Sequence, residues 1–296
     1  MIIIKLILLF PYYLSRVKHY FGQATKEGLV GKHFFTYGHS LAWRLLLKGK
    51  LSLKLFLNPV SIVRYFEFDF TERHLGPKRD IKVLDISSPY LMSFYVIDNF
   101  QNKVDYINPD KKDLADVIAK SKALGIDAHT FDFDAANLPF EDQSYDVIYS
   151  ISVIEHINDD KDTDVLRELW RVLKPNGKLI LTFPSRKEFE EEYRNTDAYG
   201  LQEGKKEKYF FQRFYDEASV ANRILSALDH HRIESYEFFG ETTESFYSDY
   251  HERWTKNGLA ETIKDPLYIV SNFKKFNNSS DFPGVGIIGL SIIKEQ

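Results

Sequence analysis

Ser144-Tyr145-Asp146-Val147-Ile148-Tyr149-Ser150-Ile151-Ser152-Val153-Ile154-Glu155-His156-Ile157 is the stretch from which the fold is read. Its apolar centre is short and nearly continuous, which suits a strand covered on both faces of a sheet. Working outward, comparable runs stand at Lys82–Ile86, Val104–Ile107 and Ala128–Phe133 upstream, and at Lys178–Phe183 downstream. Helical patterns separate them: Leu91–Asn99, Lys111–Leu124 and Asp162–Leu173, the last stopped by the turn Lys174-Pro175-Asn176-Gly177. Alternation of this kind predicts parallel strands with right-handed crossovers, an α/β doubly wound sheet.

In open sheets of this class ligands bind outside the carboxyl ends of the strands, where the strand order reverses. The loops that matter are therefore Asp85-Ile86-Ser87-Ser88-Pro89-Tyr90-Leu91, Ile107-Asn108-Pro109-Asp110, Asp132-Phe133-Asp134-Ala135-Ala136-Asn137-Leu138-Pro139-Phe140 and Ser150–Ile157. A carboxylate at Asp85 suits a ligand carrying an ammonium group, or it caps the helix that follows. Asn108-Pro109-Asp110 reads equally as an ordinary turn. Asp132 and Asp134 fall on the same side of an extended chain, so alternation does not separate them.

In their order and spacing, Asp134–Phe140, Ser144–Ile157 and Leu166–Gly177 resemble the class I S-adenosylmethionine-dependent methyltransferases, particularly the small-molecule group. The resemblance is firm from Ile81 to Ser185 and looser to the C-terminus. It implies a Rossmann-like, mostly parallel seven-stranded sheet, S-adenosylmethionine as cofactor and methyl transfer as the reaction. It assigns cofactor binding to Asp85, Ser87, Ser88, Asn108, Asp110, Asp134, Ala135, Ser150 and Ile151. Ser87-Ser88-Pro89-Tyr90-Leu91 departs from the family's glycine-rich loop, in which glycine lets backbone approach the cofactor closely. Asn108 replaces the usual ribose-binding acid; its amide both accepts and donates, without the charge. His156 is the candidate general base for a hydroxyl or amine acceptor, against the plainer reading of an imidazole that holds its loop. The alternative to an enzyme is a methyltransferase-fold binding or scaffolding protein, motivated by the altered loop and Asn108.

Outside this region, residues 1–78 read as a helical, aromatic-rich lead-in and 79–296 as the methyltransferase domain, with acceptor-side insertions at about 186–231 and 242–283. Arg186–Leu228 is expected to be helical. Two late strands, Ile233–Phe239 and Gly286–Ile293, predict an antiparallel edge on the sheet. The acceptor candidates are Arg213 and Tyr215 within Tyr209–Tyr215, with Tyr193, Tyr199, Trp254 and Tyr268, which favour a small-molecule or glycan-type acceptor; packing of a lid is the plainer reading.

The chain has 296 residues, of which 44% are hydrophobic and 28% charged, an ordinary globular balance. It contains no cysteine, which excludes disulfides, thiolate metal sites and cysteine nucleophiles. No metal-binding motif, Walker loop or GxSxG elbow occurs, and the adjacent His230 and His231 do not share a face. GxGxxG is also absent, which argues against a nicotinamide enzyme. A formal charge of −4 predicts no global attraction to nucleic acid. Ile2–Phe10 is apolar apart from Lys5, about half the length of a membrane span, and Pro11 interrupts it. It lacks the flanks of a secretory signal. The expectation is a cytoplasmic protein whose N-terminus packs on the body or touches a membrane peripherally.

Overall fold

The computed structural model describes residues 2–197, 200, 202 and 207–296. Four helices lead in: α1 (Ile2–Lys26), α2 (Lys32–Leu47), α3 (Leu53–Leu57) and α4 (Arg64–Leu75). Pro11, expected to interrupt α1, lies inside it; Phe10, Tyr13, Leu14 and Phe21 pack on the core and hold the helix through the missing backbone hydrogen bond. Gly31 precedes α2 at φ +59°, where a Cβ would stand 2.5 Å from the Tyr65 carbonyl oxygen, so only glycine admits α4 so closely.

The body alternates as expected: β1 (Lys82–Ile86), α5 (Tyr90–Phe100), β2 (Lys103–Ile107), α6 (Lys111–Leu124), β3 (His129–Phe131), β4 (Tyr145–Ile151), α7 (Lys161–Val172) and β5 (Leu173–Ser185). Beyond these lie β6 (Glu190–Arg194), β7 (Tyr209–Phe214), α8 (Glu217–Ser219), β8 (His231–Glu241), α9 (Phe246–Asn257), α10 (Leu259–Thr262), α11 (Asp265–Asn272), β9 (Phe273–Phe276) and β10 (Gly286–Lys294). The main sheet runs β3-β2-β1-β4-β5-β10-β8-β9. Its first five strands are parallel, and the order reverses between β1 and β4. Strand β10 lies antiparallel between β5 and β8, and β9 forms an antiparallel edge. The sheet thus has eight strands rather than seven; the additional one is the four-residue β9.

Alternation along each strand feeds two separate cores. Val83, Val104, Val147, Tyr149 and Ile180 pack with α1, α2, α4, α5 and α6. Leu84, Ile86, Ile107, Ile148, Leu179 and Leu290 pack with α7 and the 220–228 turns. Helix α4 lies directly on the sheet: a Cβ at Gly289 of β10 would come within 2.7 Å of the Phe70 ring.

Two expectations are corrected. Arg186–Leu228 is not mainly helical; β6 and β7 form an antiparallel hairpin, and short helical turns follow only from Glu217. Tyr209–Phe214 is a run of β-favouring aromatics, and Gln212 and Arg213 pair across to Glu192 and Glu191. The Lys174–Gly177 turn is drawn into β5 as an irregularity, with Asn176 at φ +62° and a register shift opposite Tyr145 and Val147.

Candidate active site

The turn after β1 is built from below. Asp85 is fully buried, and its carboxylate accepts from the Ser88 backbone N–H at 2.9 Å and from the Ser93 hydroxyl of α5. Burial pushes this carboxyl up to about 6, while the Ser93 and Ser88 donors hold it down. Ser87 adopts φ +50°, the left-handed conformation usually given to glycine, and both its N–H and its hydroxyl donate to the Ile107 carbonyl. Ser88 is buried and its hydroxyl accepts from the Ile151 N–H at 3.0 Å, tying the turn to β4. Tyr90 swings away from the turn: its ring meets Phe94 at 5.2 Å and lies 5.1 Å from the Lys120 ammonium of α6.

At the end of β2, Asn108 is buried. Its amide oxygen accepts from the Asp110 N–H, and its nitrogen donates to the Tyr106 hydroxyl. Asp110 caps α6 through the N–H groups of Lys112 and Asp113. After β3, Asp134 is exposed and accepts from the Ala136 N–H, Ala135 is half-buried beside it, and Asp132 pairs with Lys111 at 3.4 Å. The nine residues assigned to the cofactor therefore share the rim of β1–β4 in two layers. Ser87, Asp110, Asp134 and Ala135 reach solvent, whereas Asp85, Ser88, Asn108, Ser150 and Ile151 lie beneath them.

Strand β4 leads from this rim into a larger space. Ser150 is buried and its hydroxyl has no hydrogen-bond partner. Ser152, at φ +49°, donates to Glu67 of α4, which also accepts from Thr182 at 3.0 Å and from Arg64. Ser152, Glu155 and His156 border a cavity of about 840 Å³, whose other walls include Arg64, Arg186, Arg194, Phe211, Tyr247 and Trp254. The cavity is thus an open cleft bordered by the lead-in, the β6–β7 hairpin and the α9–α10 segment around the strand ends.

Glu155 is buried with one carboxylate oxygen unpartnered, and burial pushes it up to about 8. His156 is held down to about 4 by burial, so its imidazole is neutral. Its Nδ1 lies 2.7 Å from the Phe211 carbonyl, which places the proton there and leaves Nε2 as an acceptor, 3.7 Å from a Glu155 oxygen.

The methyltransferase domain family model matches residues 86–181, from the end of β1 into β5. Over this third of its length the chain is similar to the methyltransferase domain family. The matched segment holds the rim from Ser87 to Ile151, together with Ser152, Glu155 and His156. The chain is 33% identical over 76 residues to norajmaline N-methyltransferase of Rauvolfia serpentina, 25% of each chain. A protein of Haemophilus influenzae is 28% identical over 108 residues, 36% of this chain and 43% of that one. The chain spans less than half the length of either relative. Among solved structures, the YcgJ protein of Bacillus subtilis superposes with a TM-score of 0.51 at 13% identity, covering 78% of this chain and 99% of that one. The MccD protein gives 0.51 at 13%, covering 80% and 99%. These two likenesses are of fold.

Among the acceptor-side candidates the structure places several away from the large cavity. Arg213 is not a free cation: it is buried, bonded to the Ile157 and Asp159 carbonyls and to Glu191, and it borders a smaller cavity rather than the large one. Tyr215 is buried against Asp162. Tyr268 is bonded to Glu261, and Tyr193 borders a separate cavity of about 280 Å³. Trp254 does line the large cavity, and Tyr199 lies outside the described residues. Sequence reasoning missed Arg64, Glu67, Arg186 and Arg194, which belong to no motif and meet only through the fold.

Proposed function

We propose that this protein transfers a methyl group from S-adenosylmethionine to a small-molecule or glycan-type acceptor that carries an anionic group. The observation that supports this most is a juxtaposition. Ser150 and Ile151 end β4 at the switch between β1 and β4, within the segment matched by the family model, and the next residue, Ser152, borders the cavity with Glu155.

The rim suits a sulfonium nucleoside in its donor set. Asp134 and the Ala135 backbone would meet the adenine, Asp110 the ribose, and the left-handed Ser87 turn would bring backbone close as glycine does in the family. Asp85, Ser88 and Asn108 would hold that turn in place from beneath. The unpartnered Ser150 hydroxyl would face the amino acid end. When bound, the cofactor supplies an electrophilic methyl group, and alignment of the acceptor accounts for much of the rate.

The chain's own contribution lies in the cavity. Lys54, Arg64, Arg186 and Arg194 line it against Glu155 and Glu192; the three arginines pair with Glu67, Glu190 and Glu192, and guanidinium groups also recognise carboxylate and phosphate of a ligand through paired hydrogen bonds. Arg186 already pairs with Glu190 through Nη1, and its Nε is buried without a partner, a donor that an anionic group would satisfy. Phe211, Tyr247 and Trp254 offer flat faces to the rest of the acceptor. His156, with Nδ1 fixed by the Phe211 carbonyl, would orient a hydroxyl or amine acceptor by hydrogen bonding rather than by taking its proton, because burial keeps the imidazole neutral.

S-adenosylhomocysteine release measured across paired acceptors, sugar phosphates against their neutral sugars, tests this reading. Turnover should be confined to the anionic member of a pair, and Arg186→Gln should raise KM about tenfold or more with kcat nearly kept. Turnover of neutral members alone would overturn the acceptor class. Cofactor binding without turnover of any acceptor would favour a binding protein.

A further inference from the structure

Residues 1–78 contain twelve Lys or Arg and four acids, Glu27, Glu67, Asp69 and Glu72, in a chain whose formal charge is −4. The lead-in is therefore strongly cationic and the rest of the chain strongly acidic, an asymmetry that points to a surface contact of the N-terminal helices. The same helices carry exposed apolar side chains. Trp43, Leu46 and Leu47 stand at i, i+3 and i+4 of α2 and so share a face; they are 53%, 39% and 87% exposed. Leu51, just past the turn, is 62% exposed, and Tyr12 of α1 is 59% exposed. These elements are joined through one ring: Trp43 meets Phe56 of α3 edge-on at 5.0 Å, and Phe56 meets Phe10 of α1 at 5.5 Å. Lys48 and Lys50, both exposed, lie between Leu47 and Leu51.

A single exposed leucine needs no explanation. A set of large apolar side chains with lysines threaded through it is different, because water solvates the first poorly and the second well. An anionic bilayer surface satisfies both, with acyl boundary for the apolar groups and headgroup charge for the cations. We propose that the α1–α2 face docks this protein on an anionic lipid surface, with Trp43, Leu47 and Leu51 entering the headgroup boundary and Lys48 and Lys50 pairing with lipid headgroups. No helix among the described residues is long and apolar enough to cross a membrane, so the docking is to the surface. Nucleic acid would match the lysines but leave Leu47 and Leu51 in water. The face adjoins the cavity through α3, since Lys54, three residues past Leu51, lines it. The inference goes beyond methyl transfer and does not depend on it.

Flotation of the full chain with vesicles, phosphatidylcholine alone or mixed with phosphatidylserine, tests the docking. The protein should float with the mixed vesicles at low salt, and weakly with phosphatidylcholine alone. High salt should release much of it. Lys48→Glu with Lys50→Glu should lower partitioning about 30-fold, and Leu47→Ser with Leu51→Ser at least about 10-fold. All four positions are exposed, and an unchanged Tm would show that the variants remain folded. Failure of the wild type to float with mixed vesicles at low salt would overturn the proposal. So would undiminished flotation of the Leu47→Ser, Leu51→Ser variant, or tighter retention on a single-stranded RNA oligonucleotide than on anionic vesicles. None of these outcomes bears on S-adenosylhomocysteine binding, so the two readings fail separately.

Discussion

Asp85 and Asp134 occupy equivalent places in the motif order, each where a strand gives way to a loop, yet one is fully buried and the other exposed. Their variants should therefore differ in kind. Asp85→Ala would strip the acceptor from the Ser88 N–H and the Ser93 hydroxyl, costing about 1–3 kcal/mol of stability, and cofactor affinity should fall with it. Asp134→Ala should stay within about 0.5 kcal/mol of wild-type stability and lose affinity about tenfold. Urea denaturation and calorimetry with S-adenosylhomocysteine separate the two effects; wild-type affinity in Asp134→Ala would remove the adenine assignment. Glu155 gives a pH signature. Its carboxyl is raised to about 8, so it binds a proton more tightly folded than unfolded. The stability it contributes is complete below the ordinary carboxylate range and is lost as pH rises through about 8. Asp265, also raised to about 8, acts in the same direction. Glu155→Gln should remove its share, leaving the variant on the order of 2 kcal/mol more stable than wild type at high pH, as thermal melts across the range will show. At this scale the sequence was legible where side chains sit in ordered loops: it placed Asp85, Asn108 and Asp134 on one rim. It was silent on which of them are covered, because burial depends on Ser93 and Tyr106, which carry no motif.

The connection of α4 to β4 and β5 rests on Glu67. Its buried carboxylate accepts from Arg64, Ser152 and Thr182, joining the lead-in to the strand ends that border the cavity. Glu67→Ala would leave the Arg64 guanidinium without its buried partner and should destabilise by about 3–5 kcal/mol. Glu67→Gln, which keeps an acceptor oxygen, should cost less; equal stability of Glu67→Ala and wild type would deny α4 this role. Elements with strong periodicity were readable: Lys111–Leu124 is a helix between the predicted residues, and Tyr145–Ile151 is a strand within the predicted stretch. The hairpin was not. Glu190–Arg194 reads as a charged run, and an apolar stretch as short as Tyr209–Phe214 does not by periodicity alone separate strand from helix. Strand β9 is four residues at a sheet edge, too short to show alternation above its surroundings.

For the whole molecule, the family segment covers the rim from Ser87 to Ile151 and the first wall of the cavity, while the walls that would choose the acceptor come from the lead-in, the hairpin and the α9–α10 segment. That division explains why cofactor chemistry was legible in the sequence and acceptor chemistry was not: Arg64, Arg186 and Arg194 converge from distant positions through the fold alone. On the proposed function the β1–β4 rim binds a sulfonium nucleoside or its product. Titration of the full chain with S-adenosylhomocysteine by calorimetry addresses it directly. One saturable site is predicted, with a stabilisation of about 2.7 kcal/mol at a hundredfold excess of ligand over Kd. Absence of both heat and thermal stabilisation at millimolar ligand would contradict it.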